Sequence, residues 1–237
     1  MSNAKLAENY LTNHPSLGQA SQSKVLWIAE ILRPVLPARK DARILEIGPG
    51  RGEALALLKQ DLGYPNVFAI DNSPEVAGMC RKIVGDDAMF CEDVFAFLAE
   101  EGRRFDLILM YHVLEHFSPA QVVDLVGALH GALDPGGVLV VGVPNAASPV
   151  IGPEQQHFDF THQTGFSPWS LKQVMKIGGF TDVQVQPVWP PGNSLGRIVQ
   201  RGLQKSLLAI MRLYLRAFTG EPRPVLTHSM VAYARRT

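Results

Sequence analysis

Residues 43–53 read Arg43-Ile44-Leu45-Glu46-Ile47-Gly48-Pro49-Gly50-Arg51-Gly52-Glu53, and no other stretch narrows the fold so far. Ile44, Leu45 and Ile47 have the character of a buried strand, and the run from Glu53 to Lys59 has that of a helix. The three glycines between them let the backbone turn tightly and approach a ligand, because no Cβ stands in the way. A second apolar run, Asn66 to Ile70, delivers Asp71 21 residues after Gly50. A carboxylate at that point can accept both hydroxyls of a ribose. The pattern predicts a nucleoside site on an α/β sheet.

Two classes of nucleoside cofactor suit a strand, a glycine turn, a helix and a distal acid. A dinucleotide asks for G-x-G-x-x-G, with its pyrophosphate on the helix N-terminus. Here the spacing is G-x-G-x-G, position 53 is Glu, and Glu46 lies two residues before the first glycine. Carboxylates at both ends of the turn suit a cation and repel a pyrophosphate. With Glu46, Gly48, Pro49, Gly50 and Gly52 in this order, the chain resembles the class I S-adenosylmethionine-dependent methyltransferases, whose first motif is E-x-G-x-G-x-G. The resemblance implies S-adenosylmethionine, a sulfonium without phosphate, as cofactor. It also implies a Rossmann-like, mostly parallel seven-stranded sheet of order 3-2-1-4-5-7-6, with helices on both faces and only the last strand antiparallel.

The alternation of elements agrees with that class. Strands are expected at 43–48, 66–71, 88–91, 105–111 and 137–143, with helices at about 52–61, 74–84, 94–101 and 119–132 between them. Ser73-Pro74 and Ser118-Pro119 are helix starts, a capping hydroxyl followed by proline in the first turn. Asp134-Pro135-Gly136-Gly137 reads as a turn before the fifth strand. The 237 residues are expected to form one methyltransferase domain: a helical cap over 1–40 with a helix at 24–36, a core over 41–187, a helical insertion over 188–224 and a last strand over 225–237. Motifs support the resemblance over about 41–187. That range includes a helix at 168–178 capped by Ser167-Pro168 and a strand at 180–187; beyond it, a strand at 225–235 is read from pattern alone.

Apolar residues make up 46% of the chain and charged residues 19%, which excludes a disordered chain. Twenty-two basic residues balance 22 acidic ones, so no global charge argues for nucleic acid. Two cysteines, Cys80 and Cys91, make no disulfide framework and point to a reduced, cytoplasmic setting. No uncharged run approaches the roughly 18 residues of a membrane span.

The resemblance assigns further residues. Asp71 would bind the ribose, with Asn72 along the adenine. Asp93 would accept from the adenine amine, and the Val94 amide would donate to the ring. Asp93 also reads as the cap of the helix after it. Tyr111 ends the fourth strand, and its backbone joins this set. Ligands of open α/β sheets bind beyond the carboxyl ends of the strands, so Tyr111 to His116 should face the transferable methyl. His112-Val113-Leu114-Glu115-His116 matches the bare H-x-x-E-H of some zinc proteases, but it follows a strand, and many small-molecule methyltransferases carry a similar H-V-L-E-H.

The segment His157-Phe158-Asp159-Phe160-Thr161-His162 is the most unusual in the chain. Alternation would set His157, Asp159 and Thr161 on one face. Methyl transfer to oxygen needs the hydroxyl proton removed, and histidine suits that near neutral pH. His162 is the first candidate base, Asp159 an acid that orients a histidine, and His116 the second candidate. A metal held by His157, Asp159, His162 and His116 is an alternative that is not adopted. Asp159 to His162 through Phe166-Ser167-Pro168 with Ser170-Leu171, and the end Pro224 to Ala232, resemble methyltransferases found with bacterial surface-polysaccharide genes. That implies a glycan acceptor, with a small aromatic or quinone-type metabolite as the runner-up and a non-catalytic cofactor-binding protein as a third reading.

Within the insertion, Arg197, Arg201, Lys205, Arg212 and Arg216 fall within roughly 100° of one another on an ideal helix. Val199, Leu203, Leu207, Ile210, Leu213, Tyr214 and Phe218 lie opposite. The simplest expectation is that this apolar side packs on the domain or on a second subunit, leaving the basic face to solvent. Peripheral contact of 197–218 with an anionic membrane is the other expectation.

Overall fold

The structure, a computed structural model, describes residues 10–13, 22–192, 194–223 and 225–237. The rest of the expected 1–40 cap lies outside these residues. A short helix α1 (Tyr10–Asn13) and α2 (Gln22–Leu32) precede β1 (Ile44–Ile47). Then follow α3 (Glu53–Ala56, running into a π-helical turn Leu57–Asp61), β2 (Val67–Ile70), α4 (Pro74–Val84), β3 (Met89–Phe90), α5 (Val94–Ala99) and β4 (Phe105–Tyr111). The chain continues through α6 (Pro119–Ala132), β5 (Leu133–Pro144), α7 (Gly152–His157), α8 (Pro168–Ile177), β6 (Asp182–Pro187), α9 (Leu195–Thr219) and β7 (Ser229–Arg235). The sheet order is β3-β2-β1-β4-β5-β7-β6, parallel except for β7. That is the expected class I methyltransferase topology.

Both faces of the sheet are covered, which is why its central strands are apolar without interruption. Successive residues point to opposite layers. Leu45, Ile47, Ile108, Met110, Leu139 and Val141 meet α5, α6 and α8 through Phe97, Leu125, Leu129 and Leu171. Ile44, Leu107, Leu109, Val138 and Val140 meet α2, α3 and α4 through Ile31, Leu58, Val76 and Cys80. Ser73 caps α4 through the Val76 amide, and Ser118 closes a capping box with Gln121 at the start of α6.

Four expectations need correction. Asp134–Gly137 is no turn before the fifth strand but an irregularity inside β5, where the register against β4 shifts between Phe105 and Leu107. Gly136 takes φ +82° there, and a Cβ on Gly137 would sit 2.8 Å from the Asp134 carbonyl. The last strand begins at Ser229 rather than 225, because side chains take over the pairing before it. Asn145 donates to the Thr227 carbonyl at 2.9 Å, and Ser148 to that of Leu226 at 3.0 Å. Residues 157–162 do not alternate as a strand: His157 ends α7, and Asp159 folds the chain into a turn by accepting from the Thr161 amide at 2.8 Å.

The fourth concerns α9. Its apolar side does not pack on the domain; no residue of this 25-residue helix is buried. Half-buried positions are Arg201, Gln204, Leu208, Met211, Arg212 and Leu215, one stripe toward the body that includes two of the arginines. The apolar arc faces away from it.

Candidate active site

The glycine turn after β1 uses its missing side chains in two ways. Gly48 and Gly52 adopt φ of +67° and +79°, and a Cβ on either would strike Val113 at 2.3 Å or Ile83 at 2.5 Å. Gly50 also has positive φ, +57°, but open space where its Cβ would be. Gly48 and Gly52 therefore serve close packing, while Gly50 opens the backbone to a cavity. That cavity, about 590 Å³, lies beyond the carboxyl ends of β1, β2 and β4. Glu46, Gly48, Pro49, Gly50, Asp71, Asn72, Asp93, Val94 and Tyr111 all line it; Gly52 does not. Lys24, Trp27, Ile28 and Ile31 of α2 and Arg51 complete that end.

Its electrostatics are those of a site short of a cation. Glu46 is buried, and one of its carboxylate oxygens, Oε2, has no partner. Burial, with the neighbouring charge of Glu53, pushes its pKa up to about 8. Glu53 is itself buried and pairs with Lys24 Nζ at 3.0 Å. Burial also raises Asp71 to about 6, against the opposing effect of the Ser73 amide, which donates to it at 2.8 Å. Asp93 caps α5 by accepting from the Phe95 and Ala96 amides, and it reaches the cavity from there.

The other end of the cavity is built from the exit of β4. Tyr111 occupies the room left by Gly142, whose Cβ would lie 1.9 Å from the Tyr111 ring, and it meets Trp27 edge-on at 4.7 Å. His112 follows with φ +56°, a left-handed conformation that costs a histidine free energy and so marks a constrained site. Its Nδ1 lies 2.9 Å from Oε1 of Glu115, which is fully buried and whose Oε2 has no partner.

The two candidate bases are placed unequally. His116 lines the cavity, with its Nδ1 2.8 Å from the Thr161 hydroxyl. That hydroxyl donates to Asp159 at 2.7 Å, so its oxygen must accept from His116. The proton is therefore on Nδ1, and Nε2 keeps a lone pair. His162 is not part of the cavity lining; it packs edge-on behind His116 with ring centres 4.9 Å apart, and its Nδ1 donates to the Gln156 carbonyl at 3.1 Å. Asp159 reaches His116 only through Thr161, and His157 is exposed at the end of α7. The metal set considered from sequence is thus not assembled. A different one is: Glu115, His116 and His162 each bring a donor atom within 4.8 Å of the others.

Lys24, Trp27 and Gln163 line the site without having been expected there, and Glu115 and Thr161, though inside segments read from sequence, were given no role. Lys24, Trp27, Ile28 and Ile31 do carry a legible signal, the three- and four-residue spacing of one helix face.

Comparisons with known proteins bear on this geometry. A family model described as a methyltransferase domain matches residues 20–185. The chain belongs to that family. Its sheet order is that of the class I methyltransferase fold, which the solved structures share. Curated relatives include the carboxy-S-adenosyl-L-methionine synthases of Citrifermentans bemidjiense, 25% identical over 151 residues, and Pectobacterium atrosepticum, 25% over 146. Each match covers 57% of this chain, and 59% or 58% of the relative. The chain thus spans about three fifths of the length of these curated relatives.

Solved structures share the fold. A methyltransferase from Archaeoglobus fulgidus has a TM-score of 0.68 at 19% identity, covering 95% of this chain and 99% of its own. A methyltransferase bound to the Haloferax volcanii Trm112 activator has 0.70 at 16%, covering 97% and 96%. A phosphoethanolamine N-methyltransferase of Haemonchus contortus, solved with S-adenosylmethionine, has 0.61 at 16%, covering 98% and 58%.

Proposed function

We propose that the enzyme methylates a hydroxyl oxygen of a small polar acceptor, with a sugar of a bacterial surface glycan as first candidate and His116 as the base. S-adenosylmethionine, when bound, supplies a methyl group on a positively charged sulfur. The residues present suit it. Glu46, buried with an unpartnered oxygen, takes the ammonium, and Lys24 and Arg51 suit the carboxylate at the same end. Asp71 takes the ribose hydroxyls, and Asp93 with the Val94 amide meets the adenine.

The observation that carries the base assignment is the tautomer of His116. Thr161 and Asp159 hold the proton on Nδ1, which leaves Nε2 able to accept one from the acceptor hydroxyl. Burial lowers the pKa of His116, so the ring is neutral, and competent as a base, at neutral pH. Asp159 and Thr161 are positioning residues, and His162 braces His116 from behind. The polar groups of His112, Gln121, Thr161 and Gln163 at this end of the cavity support a polyhydroxylated acceptor. An aromatic hydroxyl is the second reading, favoured by Phe95 and Phe117, whose rings meet 5.9 Å apart on the cavity wall.

The test is incubation with methyl-labelled S-adenosylmethionine and glycan, lipid and aromatic-metabolite fractions of the host. Label in a glycan supports the first reading and label in an aromatic acceptor the second. A carboxylated cofactor in place of a methylated acceptor sides with the curated relatives and overturns both. His116→Ala should lower kcat at least about 10²-fold, with cofactor affinity within a factor of a few. Loss on His162→Ala alone reverses the two roles. Loss of activity on dialysis against a chelator means that Glu115, His116 and His162 serve a cation and not a proton.

A further inference from the structure

The orientation of α9 is the feature that methyl transfer does not use. Burying an apolar side chain is the main stabilising term of folding, and amphipathic helices ordinarily turn that side inward. Here it is turned out. Leu195, Ile198, Leu203, Ile210, Leu213 and Phe218 are between 56% and 78% exposed, on a helix of seven turns without a buried residue. They form one continuous arc rather than scattered positions, far more apolar surface than a free helix presents to water without a use for it.

The charges select what covers that arc. Arg197, Arg201, Lys205, Arg212 and Arg216 lie on the other side of the helix, and no acidic residue occurs between Asp182 and Glu221. The helix is tied to the body by cations: Arg201 lies 3.4 Å from Glu30 of α2, and Lys205 stands over the Trp189 ring. A second copy of the chain could cover the arc, but it would bring no acidic partner from α9 for the exposed Arg197, Lys205 and Arg216. An anionic bilayer meets both needs at once. Its hydrocarbon takes the apolar arc, and its headgroups take the exposed heads of Arg197, Lys205 and Arg216, whose long stems can reach back to that level. The helix would lie in the surface, since no helix among the described residues is long and apolar enough to cross a membrane.

We propose that α9 is a docking helix that lays its outward apolar arc in the surface of an anionic membrane. The inference is independent of which acceptor is methylated. α2, to which Arg201 joins α9, also supplies Lys24, Trp27, Ile28 and Ile31 to the cavity, so docking would hold the active site beside the bilayer.

Flotation of the full chain with phosphatidylcholine vesicles, with and without phosphatidylglycerol, tests this. The expected result is at least about tenfold more protein floating with the anionic vesicles, declining as salt is raised. Leu207→Glu with Ile210→Glu should abolish flotation while cofactor binding and circular dichroism stay as in the wild type; neither residue touches the cavity. Wild-type protein that stays out of the anionic vesicle layer overturns the proposal. So does equal flotation with neutral vesicles, or a dimer in solution that the double variant converts to monomer, since the arc would then be a protein interface.

Discussion

The carboxyl end of the sheet and α9 treat the same residue types in opposite ways. Around β1 and β4, leucine and isoleucine are sealed between two helix layers, and the groups left without hydrogen-bond partners are polar, among them Glu46 Oε2, the Tyr111 hydroxyl and Glu115 Oε2. On α9, most of the leucines and isoleucines lack cover, while Arg201 and Arg212 share the stripe toward the body with Leu208 and Leu215. An unmet hydrogen bond inside a cavity suits a small charged ligand. Unmet apolar area on a surface suits something large and flat. The two regions thus state two different needs, and only the first is met by a cofactor.

The comparison can be broken most forcefully in the core. Leu125→Ala removes a fully buried side chain and should cost about 2–5 kcal/mol in denaturant unfolding. A loss below about 1 kcal/mol would mean that α6 does not seal the sheet as described. At the site, Asp71→Ala should weaken S-adenosylmethionine binding by about 1.5–3 kcal/mol, roughly ten- to hundredfold by calorimetry. Unchanged affinity would remove the ribose role.

A smaller effect tests the site's missing cation. Glu46 and Asp71 ionise near 4 when unfolded but at about 8 and about 6 in the fold. Between these limits the unfolded chain releases protons that the folded one keeps, so stability falls as pH rises. Against Glu46→Gln, the wild-type Tm of the cofactor-free protein should therefore lose ground from pH 5 to pH 8, and the variant should also bind cofactor more weakly. A variant that follows the wild-type pH curve would show that Glu46 carries no such burden. The smallest effect belongs to α9: Leu203→Ser should change unfolding free energy by no more than about 0.5 kcal/mol. A cost like that of Leu125→Ala would show that the helix is packed after all.

Much of this was legible because it is local. Strand, glycine turn, helix and acid over 43–71 are set by short-range chemistry, and the sheet order came with the family resemblance that this unit carries. The serines that start α4, α6 and α8 were legible for the same reason. What escaped depends on contacts distant in sequence. His116 and His162 are alike by composition. What separates them is that Thr161, 45 residues from His116, holds its Nδ1 while Gln156 turns His162 away. The direction in which α9 faces was also hidden. Periodicity gives the two sides of a helix but not which of them meets the body, and the usual inward rule pointed to the wrong one.

The closeness of Gly48 and Val113 has a mechanical consequence. A methyl group of Val113 fills the place where residue 48 would carry its side chain, so the turn after β1 and the turn after β4 are fitted as key and slot. Val113 is flanked by strained His112 and stands three residues before His116. The cofactor loop therefore cannot shift without pressing on the segment that carries the proposed base, and the reverse holds as well. One added carbon at position 48 would misalign two partners at once, in a protein whose sheet and helices need not notice.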